Sequence, residues 1–191
     1  VGHQKGQWPT DRGFDRFYGI HIHVDSYWKV LEGCDVYLDD QLLIPDTVDP
    51  VNHLFPKNDW YSTDAFTDYA IHFLDEEVKN QENDQPFFLY LAYNSPHWPL
   101  EAPDEDIEKY RGRYMEGWDV LRQAKFNRMK NIGILSEHAV LSPSDAPKWD
   151  SLSSQARREL DFRRAMYAAQ IDRMDQNIGR LVDHLKSMGE Y

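Results

Sequence analysis

A chain of 191 residues that is 41% hydrophobic and 14% aromatic is long and apolar enough to bury a core, which argues against a disordered tail or linker. Twenty-one lysines and arginines against 33 aspartates and glutamates leave a net charge of −12, which argues against nucleic acid and anionic membranes, since both select clustered cations. The single cysteine, Cys34, rules out a disulfide framework and a cysteine-based zinc knot.

Residues 1–20 are rich in glycine and aromatics. Gly13-Phe14-Asp15-Arg16-Phe17-Tyr18-Gly19 predicts a tight surface loop whose rings plug into the core. No signal peptide or membrane-length apolar run is visible, and Val1 follows no Met, so the chain is expected to start in mid-domain. Tyr27–Val30 and Val36–Leu38 read as short strands, with Asp39-Asp40 turning the second back into Gln41–Ile44. Gly33-Cys34-Asp35 gives the thiol no neighbouring base or cation, so Cys34 reads as a small side chain in or near a strand.

A loop over 46–60 precedes a helix capped by Ser62 or Thr63. Phe66, Tyr69, Ala70, Phe73 and Leu74 form its apolar stripe. After the polar Asn80–Asp84 linker comes Phe87-Phe88-Leu89-Tyr90-Leu91-Ala92-Tyr93, a continuous apolar run that predicts a strand buried on both faces. It delivers His97 to the carboxyl end of the strand, where α/β sheets gather their ligands. Pro103–Asp106 starts a further helix, with Ile107, Tyr110 and Tyr114 on one face. Another helix runs from Trp118 through Met129 toward Gly133, and Ser142–Pro147 is a loop. Ile171, Met174, Ile178, Leu181, Leu185 and Met188 predict a final helix with one packing seam, closed by Gly189. Helix, short loop and buried strand make an α/β layered domain the expected architecture.

Few groups invite chemistry. His21 and His23 share a strand face at a spacing that suits zinc, without further ligands at motif spacing. His72 and His184 lie in helices and read as structural. Asp39-Asp40 suits a turn and Asp104-Glu105-Asp106 a helix start, so neither requires catalysis. His97 stands apart. Pro96, Trp98 and Pro99 stiffen and wall its loop, so its ring can donate to an anionic oxygen or protonate a leaving group.

Several stretches, taken in order, resemble the type I sulfatases of the alkaline phosphatase-like superfamily. They are Thr10-Asp11-Arg12-Gly13-Phe14-Asp15-Arg16-Phe17-Tyr18-Gly19, Phe87 through Leu100 with its Pro-His-x-Pro turn, Ile107–Tyr110, Gly117–Arg122 and Asp172–Leu181. The resemblance implies an alkaline phosphatase-like α/β core segment with helices on a partial mixed sheet. Residues 1–191 would be one partial domain, the central segment of a catalytic domain.

It also implies sulfate ester hydrolysis, in which a formylglycine made from Cys/Ser-x-Pro-x-Arg attacks sulfur and calcium polarises the sulfate oxygens. His97 matches the family's sulfate-contacting histidine, as both a catalytic and a substrate-binding residue. Cys34 precedes Asp35-Val36-Tyr37 and does not fit the formylglycine motif, and the paired aspartates and Asp-Asn of the calcium site have no match here. The parent protein is therefore expected to need calcium and formylglycine, this chain to complete neither, and the chain alone to be inactive. Implied partners are a sulfated small molecule or glycan, with self-association through unpaired strand edges. A periplasmic or secreted location fits the resemblance, and the sulfated substrate stays open. A related metal-dependent phosphatase or phosphodiesterase, or a non-catalytic binding module, is the alternative reading.

Overall fold

The computed structural model describes residues 2–22, 26–29, 35–43, 47–48, 54–55, 60–79 and 86–191. Cys34, His23 and the Asn80–Asp84 linker lie outside the described residues. The elements are strands β1 (Tyr18–Ile20), β2 (Val36–Leu38), β3 (Gln41–Leu43), β4 (Thr47–Val48) and β5 (Leu54–Phe55), and helices α1 (Ser62–Lys79), α2 (Asp104–Glu108), α3 (Trp118–Asn131) and α4 (Ser154–Met188). Two compact units result. The first takes residues 1–101 and 170–191, the second residues 102–169.

In the first unit β1, β2 and β3 form an antiparallel sheet, with Gly19 opposite Tyr37 and Tyr37 opposite Leu42. β4 and β5 pair separately, also antiparallel. The predicted β2–β3 hairpin forms, and its turn shows why two aspartates stand there. Asp39 adopts a left-handed φ of 54°, which Asp tolerates better than most residues. Its carboxylate accepts the Phe17 N–H at 2.9 Å and the Arg16 Nε–H at 3.2 Å, while Asp40 accepts the Thr10 hydroxyl at 2.6 Å. The acidic pair pins the opening loop.

Arg16 also donates to Glu76 of α1 at 2.6 Å and lies 4.4 Å above the Phe73 ring. Tyr18 stacks on Tyr69 with centroids 3.6 Å apart. Val36, Leu43, Trp60 and Ala65 form the core, with Tyr18, Ile20 and Leu38 against it. Of the opening loop's rings only Tyr18 packs on this core, while Phe14 and Phe17 stay partly covered. α1 begins at Ser62, but the Tyr61 carbonyl accepts the Ala65 N–H at 3.0 Å, so Tyr61 and not the expected Ser62 or Thr63 holds the cap position.

Two expected strands are not strands. Tyr27–Lys29 makes no ladder among the described residues, and two of the backbone groups of Tyr27 that a ladder would use are already taken. The Tyr27 N–H donates to the Glu101 carboxylate at 2.7 Å, and the Tyr27 carbonyl accepts the Ser62 N–H at 2.9 Å.

The run Phe87–Tyr93 forms no strand, and none is paired to it among the described residues, but from Phe88 to Tyr93 exposed and partly covered residues alternate as along extended backbone. Nor is it buried on both faces. Phe88 is 79% exposed and Tyr90 69%, whereas Leu89, Leu91 and Tyr93 are partly covered. Side chains along extended backbone point alternately to opposite faces. One face is covered, with the Tyr93 hydroxyl 2.7 Å from that of Thr67 on α1, and the other faces water.

α4 is much longer than its apolar seam suggested. It starts where the Ser153 hydroxyl accepts the Ala156 N–H at 3.1 Å, an N-cap bond. Its buried residues are Asp161, Ala165, Ala169, Gln170 and Asn177, whereas the seam residues Ile171 and Ile178 are about 40% exposed. The helix turns small and polar residues inward. Its C-terminus matches expectation, with Gly189 at φ 81° and the Glu190 N–H on the Leu185 carbonyl.

The second unit is built on Ala102, Ile107, Ala165 and Ala169, with Tyr110, Tyr114, Phe162 and Met166 packed around them. Asp161, 5% exposed, accepts the N–H groups of Gly112 and Tyr114 at 2.9 and 2.8 Å and fixes the turn after α2. Gly117 sits at φ 90° under Trp149, where any Cβ would run into the indole. α3 buries none of its residues. No described helix is long and apolar enough to cross a membrane.

Candidate functional site

The site to test is the segment Ser95–Glu101, which carries His97. Its backbone is held almost entirely by polar groups. The His97 N–H donates to the Asn94 carbonyl at 2.9 Å and closes a turn. The His97 carbonyl accepts the Tyr27 hydroxyl at 2.9 Å and the Gln170 amide at 3.3 Å, and the same amide reaches the Pro99 carbonyl at 3.2 Å. The Ser95 hydroxyl donates to the Gln170 carbonyl at 2.9 Å, and the Tyr61 hydroxyl donates to the Glu101 carbonyl at 2.9 Å. The Glu101 carboxylate returns the connection by accepting the Ser26 hydroxyl at 2.8 Å and the Tyr27 N–H.

Tyr27 and Gln170 have no exposed surface, and Tyr61 is 2% exposed. Burial, reinforced by the Glu101 charge, pushes the Tyr27 phenol well above its ordinary pKa. Burial does the same to Tyr61. Both therefore stay protonated donors through the physiological range.

The partners are held in turn by α1 and α4. Arg173 grips Asp64 through two nitrogens at 2.8 and 2.6 Å, Asn177 donates to the same carboxylate at 2.7 Å, and Arg180 reaches Asp68. A bidentate guanidinium fixes orientation as well as distance. The arginines at one and three turns beyond Gln170 thus set the helix that presents it.

His97 itself is exposed. Its Nδ1 lies 2.6 Å from the Trp98 carbonyl, and its ring lies 5.6 Å from the Trp98 ring, which is 72% exposed. A carbonyl only accepts, so this bond requires a proton on Nδ1. Nε2 is then the ring atom open to a ligand. In the neutral ring Nε2 accepts, and only a second proton there turns the same atom into a hydrogen-bond donor or general acid.

The remaining candidates are accounted for by packing. His21 is stacked between Trp8 and Phe17, with centroids at 4.4 and 4.8 Å, and burial lowers its pKa. A metal role shared with His23 lies beyond the described residues. His72 faces Glu76 at 3.3 Å, and His184 faces Asp75 at 3.3 Å. Among the described residues no three His, Cys, Asp or Glu side chains gather as a metal site. The site residues that sequence reasoning missed are Gln170, Tyr27 and Glu101. Only Gln170 left a signal, an amide flanked by Ala168-Ala169 where the helix must approach another backbone closely.

The family model described as Sulfatase matches residues 3–191. An uncharacterized sulfatase of Schizosaccharomyces pombe is 41% identical over 145 residues, covering 74% of this chain and 25% of that protein. The arylsulfatase of Klebsiella aerogenes is 27% identical over 199 residues, covering 99% of this chain and 39% of its own length. The solved structure described as Ps i-CgsB in complex with k-i-k-neocarrahexaose superposes with a TM-score of 0.55 at 22% identity, over 98% of this chain and 32% of that one. That likeness carries the α/β, alkaline phosphatase-like fold. This chain spans roughly a quarter to two fifths of these relatives. With the family model matched across nearly every residue, the chain belongs to the sulfatase family.

Proposed function

We propose that the chain is the central segment of a sulfuric ester hydrolase domain, and that it supplies the histidine-bearing wall of the sulfate site. Family membership supports the reaction class, and the clamped His97 loop supports the residue. With Nδ1 bonded to the Trp98 carbonyl, a second proton on Nε2 makes His97 an imidazolium. That cation donates a hydrogen bond to a sulfate oxygen. As a nucleophile supplied by other residues bonds to sulfur and the ester S–O bond breaks, it passes the Nε2 proton to the departing alkoxide or phenoxide oxygen and becomes neutral.

The described residues do not fit the family's calcium, and Cys34 does not fit its formylglycine motif, so no step here runs through either group. In this reading both belong to residues beyond this chain, and the chain alone is inactive. The substrate class is a sulfated small molecule or glycan. A carrageenan oligosaccharide bound to a protein of the same fold supports the glycan.

The single observation that carries the proposal is the open Nε2 on a loop fixed by buried donors. The test is a titration of the chain with phenyl sulfate, followed through the ring ¹⁵N and ¹H resonances of His97. A saturable shift at Nε2, absent in His97→Ala, is expected. No perturbation at His97 overturns its role. Calcium-dependent turnover of a chromogenic aryl sulfate by the chain itself would overturn its inactivity.

A further inference from the structure

The charge of this acidic protein is unevenly spread. Residues 102–169 carry twelve lysines and arginines against eleven aspartates and glutamates, while the rest of the chain carries nine against 22. The cations of the second unit include a distinct arrangement where the turn after α2 meets α4. The Arg113 guanidinium lies 5.2 Å from the Tyr110 ring. The Arg164 guanidinium lies 5.2 Å from the Tyr167 ring and 5.9 Å from that of Tyr114.

Both arginines are exposed, and neither makes an ion pair with an acidic residue among the described residues. The neighbouring acids are occupied elsewhere. Asp161 spends both oxygens on the backbone of Gly112 and Tyr114, Asp106 holds Lys109 at 2.6 Å, and Glu108 holds Arg111 at 2.7 Å.

A guanidinium resting on an aromatic face keeps its in-plane N–H fork free, and the ring limits the freedom the side chain must lose on binding an anion. Two such forks, each held against tyrosine rings, offer spaced donors for the sulfates of one strand. The net charge of −12 opposes large polyanions that need a broad cationic surface, such as nucleic acid or an anionic bilayer. A narrow strand carrying spaced sulfates needs only this local patch.

We propose that Arg113 and Arg164, seated on Tyr110, Tyr114 and Tyr167, bind a sulfated polysaccharide on the second unit. The choice of polymer rests on the sulfatase reading. The existence of an anion-binding face does not.

The test is isothermal titration of the chain with dextran sulfate, and with unsulfated dextran of equal length, in low salt. Binding to the sulfated polymer alone, weakened by added salt, is expected. Arg113→Ala/Arg164→Ala should lose about tenfold or more in affinity, since two charge-assisted contacts go. Arg113→Lys/Arg164→Lys should fall between, keeping charge but losing fork and ring contact. The lysine pair carries the test should the alanine pair fail to fold by circular dichroism.

The proposal is overturned by absent binding or by an arginine pair that proves neutral. It also falls if Lys125→Ala/Arg128→Ala, two exposed cations of α3, costs as much. Equal affinity for polyglutamate would reduce the face to a general anion trap and overturn it too. The loss caused by Arg113→Ala/Arg164→Ala should be as large in a His97→Ala background as without it. A loss that vanishes in that background would place the polymer at the His97 site, sinking this inference while leaving the proposed function intact.

Discussion

Two consecutive stretches of the first unit are held in opposite ways. Phe87–Tyr93 is the most apolar run in the chain, yet Phe88 and Tyr90 are largely exposed and no described strand pairs with its backbone. Ser95–Glu101 is mostly polar and proline, yet buried donors clamp it through the carbonyls of His97, Pro99 and Glu101. Order here follows hydrogen-bond partners, not hydropathy. A backbone carbonyl answered by a fully buried amide cannot move without leaving a buried donor unsatisfied, which costs about 1–3 kcal/mol per group. An exposed phenylalanine carries no comparable penalty.

The contrast breaks most directly at Gln170. Gln170→Ala deletes the donor to two carbonyls and leaves a gap in α4, so urea unfolding should show a loss of about 2–3 kcal/mol. The His97 backbone amide should also become faster in hydrogen exchange, as a mere packing defect elsewhere would not require. Asp64→Ala comes next. It removes the bidentate carboxylate from a partly buried Arg173, 25% exposed, and should cost about 2 kcal/mol, below the cost of breaking a fully buried pair because water still reaches the guanidinium.

Alkaline pH offers a milder break. Tyr27 and Tyr61 hold their protons more tightly folded than unfolded, where tyrosine titrates near about 10. Above that pH the unfolded chain releases protons that the folded chain keeps, so stability falls as pH rises. Their contribution is intact below about pH 10 and lost as pH climbs toward the raised folded values. Tyr27→Phe/Tyr61→Phe should flatten this decline in thermal melts between pH 9 and about 11. An unchanged slope would mean the two phenols do not guard the loop.

Much of the frame was legible in the sequence, and the reasons are local. The β2–β3 hairpin, α1, the start of α2, α3 and the Gly189 cap each announce themselves within a few residues by alternation, capping or glycine. The family and its fold were legible from ordered motifs. What failed was burial. A continuous apolar run signals two covered faces only where neighbours exist to cover them, and composition cannot report the neighbours. The α4 seam failed for a related reason. Ala165, Ala169, Gln170 and Asn177 face inward because close approach and hydrogen bonding, not apolar area, decide that interface. The clamp was invisible because Tyr27, Glu101 and Gln170 are far apart in sequence, and each looks ordinary alone.

The smallest effect on stability sharpens the comparison from the other side. Phe88→Ser/Tyr90→Ser removes two exposed rings and should change unfolding free energy by no more than about 0.5 kcal/mol. Its effect should appear in association instead. A run with an exposed apolar face and no strand paired to it among the described residues is a template for another strand, and a second copy of the chain presents the same edge. Sedimentation velocity across a concentration series should show the unsubstituted chain self-associating and the serine variant shifted toward monomer. A chain that stays monomeric at high concentration would show that the Phe88–Tyr90 face is inert. Exposure of that run would then be a settled surface rather than an unfilled sheet position, and the contrast with the clamped His97 loop would reduce to rigidity alone.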